Sequence, residues 1–293
     1  MERLEILKTY KIYIGGKFPR TESGRYYSPL NSKGEQLGNI CLSSRKDVRN
    51  AVVAARKAFG DWSERTDFNR GQILYRIAEM LEGRKVQFVE ELIFQGATKV
   101  NATKEVELSI DRLVYYAGWC DKYKQVMSSV NPVSSSHFNF SVQEPMGVVG
   151  VIAEASTSLI GLVSIVAPII AGGNSCVVLA SEKLPLCAVT FAEVLNSSDV
   201  PGGVVNVLTG KLSELVNPLT SHMDVDAMAY SGTDANIIKE LQESGALNMK
   251  RIFNYDNNWM HESSQNLYLI SDFQEIKTTW HPIENVGGAT SSY

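Results

Sequence analysis

EPMGVVGVIAEASTSLIG, residues 144–161, opens with a short and nearly continuous apolar run, Val148 to Ile152. Such a run fits a strand covered on both faces, because a half-exposed strand would alternate apolar and polar residues. The turn that follows consists of Glu154, Ala155, Ser156, Thr157 and Ser158, with none of the glycines that let a backbone wrap a phosphate. Working outward, the same pattern recurs. GVVGVIA (147–153), NSCVVLA (174–180), GVVNVLT (203–209), VDAMAYS (225–231) and KRIFNY (250–255) read as strands. Helical stretches begin between them near Ser158, Leu184, Leu212 and Asp234, punctuated by Pro168, Pro185, Pro201 and Gly202. Apolar strands alternating with helical crossovers predict an α/β fold, a doubly wound, mostly parallel Rossmann-like sheet.

Upstream the pattern is mainly helical. KIYIGGKF and GRYYSPLN read as an edge hairpin turning near Gly15 and Gly16. Ser44 and Asp47 have capping-box spacing, and Val48, Val52, Ala55 and Phe59 form one apolar stripe, which predicts a helix from about residue 45. Ile73, Ile77 and Leu81 mark a second helix broken at Gly83, and Val106, Ile110, Leu113 and Tyr116 mark another that ends near Lys124. Residues 126–143 are serine-rich with β-formers at both ends, and predict a second hairpin with exposed edges. After Tyr255 the alternation stops: NLYLI and IKTTWHPI each read as one more strand, and the tail GGATSSY as frayed.

Composition narrows the function classes. The chain of 293 residues is 44% hydrophobic and 20% charged with a net charge of −4, so a globular core is expected and a concentrated basic face for nucleic acid is not. The longest apolar run, Leu159 to Gly173, is interrupted by Gly161, Ser164 and Pro168, and the first residues carry acids in place of a leader, which predicts no membrane span and a cytoplasmic location. Cys41, Cys120, Cys176 and Cys187 lie far apart without a CxxC pair, so they read as buried thiols and no metal site is expected. No GxGxxG, GxxxxGK[ST] or GxSxG occurs. Ser231–Gly232–Thr233 and Ser156–Ser158 each read as a helix N-cap or as an anion-binding turn. His137, His222, His261 and His281 fall in loops or the tail, and Glu243, Asp256 and Glu262 lack dyad spacing.

Several of these segments, in order, resemble the aldehyde dehydrogenase superfamily. IGGKF, NAVVAARKAFGDWSE and VYYAGWCDK are similar to its N-terminal helical part. EPMGVVGVI, APIIAGGNSCVVLASEKLPL and DVPGGVVNVLTG are similar to its cofactor-binding sheet, and HMDVDAMAYSGT to the strand and turn before its pyrophosphate helix. The resemblance implies NAD(P)-dependent oxidation through a cysteine thiohemiacetal, an Asn oxyanion donor, a Glu base, and assembly through a β-flap. Residue by residue, Ser156 stands at the Asn position, Tyr255 at the Glu position and Leu179 at a ribose-binding Lys, while Glu182 and the turn Ser231, Gly232, Thr233 match the cofactor-binding pattern. DFQEIKTTWHPI resembles the family's oligomerisation strand, which implies that the domain carrying the nucleophilic Cys is missing. The chain also resembles the non-catalytic half of the two-part family-sixteen enzymes.

The expected organisation is therefore residues 1–125 as an N-terminal hairpin and helical segment, 126–143 as an oligomerisation hairpin, 144–261 as the Rossmann-like sheet, and 262–293 as a C-terminal strand and tail. The expected function is a catalytically inactive subunit, not an enzyme, with Ser156 and Tyr255 as degenerate catalytic positions. Glu182, Ser231, Gly232 and Thr233 are then vestigial, with no cofactor expected. The expected partner is itself or an active aldehyde dehydrogenase subunit, reached through the flap, with neither nucleic acid nor membrane involved. The alternative is an NAD(P)-binding sensor or a residual NAD-dependent oxidoreductase.

Overall fold

The computed structural model describes residues 6–153 and 155–283. Strands β1 (Thr9–Tyr10), β2 (Tyr26–Tyr27) and β3 (Asn39–Cys41) form a small sheet in the order β1-β3-β2. The hairpin expected between KIYIGGKF and GRYYSPLN does not form. Ile14 and Lys17 do pair around Gly15 and Gly16, at φ 60° and 79°, but Tyr26 and Tyr27 pair with β3, and Tyr13 pairs with Val207. The turn is spent on docking: the Gly15 N–H donates to Asn206 Oδ1 at 2.9 Å, and a β-carbon on Gly16 would lie 3.0 Å from the Gly202 Cα.

Helices α1 (Arg45–Ser63), α2 (Asp67–Gly83), α3 (Lys85–Phe94), α4 (Lys99–Trp119) and α5 (Tyr123–Met127) follow. The Ser44 N–H and hydroxyl both donate to Asp47 Oδ2 at 2.8 Å, which starts α1 where the spacing placed it. Next come β4 (Ser129–Asn131) and β5 (His137–Pro145), then the alternating region β6 (Val148–Ile152), α6 (Ile160–Ala171), β7 (Ser175–Leu179), α7 (Leu186–Asn196), β8 (Val205–Leu208), α8 (Leu212–Thr220), β9 (Ala227–Ser231), α9 (Ala235–Ala246) and β10 (Arg251–Tyr255). These five strands are parallel, in the order β10-β9-β6-β7-β8.

Successive strand residues point to opposite faces and both faces are covered. Val149, Val151, Cys176 and Val178 pack towards α4, α6 and α7, while Val148, Ile152, Val177 and Leu179 pack towards α1, α8 and α9. Every residue of α6 is buried, so that helix is apolar all round where a surface helix would carry one polar face.

The chain closes with a single 3₁₀ turn (Glu262–Ser264), α10 (Tyr268–Ser271) and β11 (Gln274–Pro282). NLYLI, expected as a strand, thus ends in a helical turn. Leu269 and Ile270 are adjacent and both buried against α6, which a strand's alternation would not allow. IKTTWHPI is a strand: β11 pairs antiparallel with β5 from Gln274↔Pro145 to Pro282↔His137, and β4 covers the other edge of β5. The flap is therefore three-stranded. His137 and His281 lie within it, not in a loop or an irregular tail, with His137 edge-on to Trp280 and His281 stacked on Phe140. Residues 1–5, Glu154 and 284–293, including the frayed tail expected at GGATSSY, lie outside the described residues. No described helix is long and apolar enough to cross a membrane.

Candidate functional site

Strand order reverses between β6 and β9, so the connections after their carboxyl ends leave in opposite directions and open a crevice, the usual ligand position in such sheets. The sequence-predicted residues all lie on this carboxyl edge. Ser156 is exposed in the turn after β6, Glu182 lies in the turn after β7, Ser231 ends β9 with Gly232 and Thr233 following, and Tyr255 ends β10. A cleft of about 590 Å³ adjoins Ser156–Ser158, walled by Gln95, Lys104, Asn258 and Met260.

The helix starts are capped differently from expectation. Leu159, not a serine, is the N-cap residue of α6, and its side chain makes no capping bond. The cap comes from α4: Glu105 Oε1 accepts from the N–H groups of Ser158 (3.2 Å), Leu159 (2.8 Å) and Ile160 (3.2 Å), and Thr157 Oγ1 accepts from the Gly161 N–H at 3.2 Å. Ser158 instead donates its hydroxyl to the Leu184 carbonyl at 2.8 Å and accepts from Gln95 Nε2 at 3.0 Å. At α9 the cap is Asp234, whose Oδ1 accepts from the Asn236 N–H at 2.8 Å, so Thr233 does not open that helix. Glu182 Oε2 accepts from the Leu212 N–H at 3.2 Å, at the start of α8. Each of these helix ends thus holds a carboxylate of the chain, where the positive end of the peptide dipoles favours one.

Gly232 sits beneath the Tyr230 ring; a β-carbon there would lie 2.5 Å from the phenol oxygen, which accepts from the Asp234 N–H at 3.3 Å. Ser231 Oγ accepts from Trp259 Nε1 at 2.7 Å, and both residues are buried. Behind them lies Arg112, also buried. It donates to Ser164 Oγ at 3.1 Å and to the carbonyls of Trp259 and His261 at 3.3 and 3.4 Å, fastening the segment after β10 onto the helical layer. Burial pulls its pKa down. Tyr255 donates to Asp272 Oδ2 at 2.8 Å. Burial first, and then the Asp272 charge, push the Tyr255 pKa far up; burial raises that of Asp272. At neutral pH the phenol is a proton donor.

All four cysteines are free and buried. Burial pushes the Cys120 thiol up to about 12 and raises Cys176 and Cys187 as well, so these thiols pack as apolar groups.

Glu105, Arg112 and Gln95 were missed by sequence reasoning. The sequence shows only part of this: positions 105, 109, 112 and 116 fall on one helix face at spacings of four and three and three of them are polar, but their burial appears only in the structure.

The chain matches the aldehyde dehydrogenase family over residues 19–253. It is 32% identical over 249 residues to the putative aldehyde dehydrogenase DhaS of Bacillus subtilis, covering 83% of this chain and 50% of that protein. It is 32% identical over 259 residues to the cytosolic 10-formyltetrahydrofolate dehydrogenase of Mus musculus, covering 86% and 29%. Among solved structures, the NAD+ complex of an aldehyde dehydrogenase from Bacillus cereus superposes with a TM-score of 0.80 at 25% identity, over 84% of this chain and 50% of that one. The chain therefore spans half or less of the length of these relatives.

These matches correct the expectation that the chain is not an enzyme. The proteins it resembles are named as dehydrogenases, which are enzymes, and none of those described is named as an inactive form. The expectation rested on Ser156, on Tyr255 and on the inferred absence of the domain carrying the nucleophilic Cys; neither two changed positions nor a chain that spans half or less of its relatives establishes that the chemistry is lost. With the family match extending from the first helices to β10, and the doubly wound sheet beneath it, the chain belongs to the aldehyde dehydrogenase family.

Proposed function

We propose that this chain is the dinucleotide-binding part of an NAD(P)-linked aldehyde oxidoreductase, with the cofactor in the crevice between β6 and β9. The observation that carries the reading is that Ser231–Thr233, at the switch point, and Glu182, after β7, both lie on the carboxyl edge of the sheet. The donor set fits the group. Glu182, steadied by its bond from the Leu212 N–H, is an acceptor for ribose hydroxyls, and beyond the buried Ser231 the turn offers the exposed Thr233 hydroxyl to a phosphate. Leu179 is buried in the core, so the ribose falls to Glu182 alone. Bound NAD(P) supplies a hydride acceptor; this chain's residues bind and orient it.

Titration calorimetry with NAD and NADP tests this. One of the two should bind, and Glu182→Ala should weaken it by roughly tenfold, the loss of one charge-assisted hydrogen bond. Asp234→Asn should tighten binding, because the Asp234 carboxylate caps the helix end that a pyrophosphate approaches. Absence of heat with either nucleotide at millimolar concentration would end the proposal.

Assembly through the flap belongs to the same proposal, with a second copy or another aldehyde dehydrogenase-family subunit as partner. Ile276 and Trp280 are 71% and 56% exposed and share one face of β11, at an edge of the three-stranded flap. Sedimentation velocity should find a dimer that Ile276→Lys with Trp280→Lys returns to monomer. A parent protein that sediments as a monomer, alone and mixed with a full-length family member, would exclude it.

A further inference from the structure

A second cleft, of about 490 Å³, lies outside the crevice between the first two turns of α1 and the C-terminal end of α8. Arg45, Lys46, Arg49, His222, Pro218 and Met223 line it. Arg45 and Arg49 are four apart and share a helix face, and among the described residues neither guanidinium has an ion-pair partner. Lys46 pairs with Glu22 at 2.6 Å.

The Asp224 N–H donates to His222 Nδ1 at 3.2 Å, which leaves the proton of the neutral ring on Nε2. Burial, and then the charges of Lys250, Arg49 and Arg56, lower the His222 pKa against the opposing pull of Asp224. The ring therefore stays neutral and keeps one N–H to donate. Lys250 Nζ donates to the His222 carbonyl at 2.6 Å and to that of Val225, fixing another positive charge behind the imidazole. The C-terminal end of α8 accounts for some of this charge, but the partial negative charge of a nine-residue helix is offset by one cation. Pro218 and Met223 add apolar surface at the rim, and Met223 is 77% exposed.

We propose that this cleft binds a nucleoside diphosphate, with Arg45 and Arg49 on the phosphates, the His222 Nε2–H as a further donor, and Pro218 and Met223 against the base. Guanidinium forks match phosphate oxygens two at a time, and a thioether packs readily on a flat ring. The site is separate from the crevice and does not depend on the dinucleotide reading.

The test is titration of the full chain with adenosine diphosphate and with inorganic pyrophosphate, together with nitrogen NMR of the His222 ring. Adenosine diphosphate should bind and shift the His222 Nε2 signal, and Arg45→Gln with Arg49→Gln should weaken it by roughly tenfold or more. The crevice would also take adenosine diphosphate, so the readout for this cleft is the His222 shift, which Glu182→Ala, in the crevice, should leave unchanged. Both arginines are exposed, so the double variant should melt as the parent does, and thermal unfolding checks this. Absent binding, an unmoved His222 signal, or a His222 shift lost in Glu182→Ala and kept in the arginine variant would overturn the proposal. Equal affinity for pyrophosphate would overturn the assignment of a nucleoside.

Discussion

Replacing Glu105 by alanine should lower the stability of the fold by about 3 kcal/mol, the upper end of the loss when buried N–H donors are stripped of their acceptor, here a charged one shared by three of them. Glu105 is 7% exposed, and one of its oxygens accepts from three successive N–H groups at the start of α6. α6 is buried along its whole length, so water has poor access to those donors once the carboxylate is gone. Urea unfolding should show the midpoint falling at constant slope, which marks a change in stability and not in the compactness of the unfolded chain. Glu105→Gln keeps one acceptor oxygen without the charge and should fall between the two. A shift below about 1 kcal/mol for the alanine variant, within the range of an ordinary exposed cap, would show that the carboxylate does not carry this end of the helix.

Trp259→Ala should cost a similar amount, about 3–5 kcal/mol, for a different reason. Trp259 is 1% exposed, lies edge-on to Tyr255 with centroids 6.1 Å apart, and fills the space beside Ser231. Removing the indole leaves a cavity and strips Ser231 of its donor, so packing and hydrogen bonding are lost together. Trp259→Phe separates them: it keeps an aromatic ring and loses the N–H, for about 1 kcal/mol. The measurement is again the urea midpoint of both variants. A deficit of the same size in each would mean that the hydrogen bond, not the ring, dominates; an alanine variant within 1 kcal/mol of the parent would mean that the crevice refills.

The alternation of apolar strands and crossovers placed β6 to β10 within a residue or two of their observed positions, because a strand covered on both faces must be short and apolar and its helices must start at the turns. The tethers across the fold were not legible. Glu105 caps a helix far from it in sequence, and nothing near Ser156–Ser158 announces that a carboxylate arrives from α4. A single segment reveals only local hydrogen bonding, so in the sequence these serines read as helix caps or an anion-binding turn. NLYLI was read as a strand for a related reason: a short apolar run has no period of its own until its neighbour, here α6, is known. At the candidate site, the positions of Glu182 and Ser231–Thr233 were legible from the resemblance, but the role of Trp259 was not, since its partner Ser231 lies on the neighbouring strand, 28 residues away in the chain.

The pairing of β5 with β11 also fixes an order of events during synthesis. His137 cannot meet Pro282 until the whole parallel sheet between them has left the ribosome, so the flap closes only after that sheet has emerged. Until then β5 presents one unpaired edge. The separation of β11 from β5 in the chain therefore sets how long that edge stays open during synthesis.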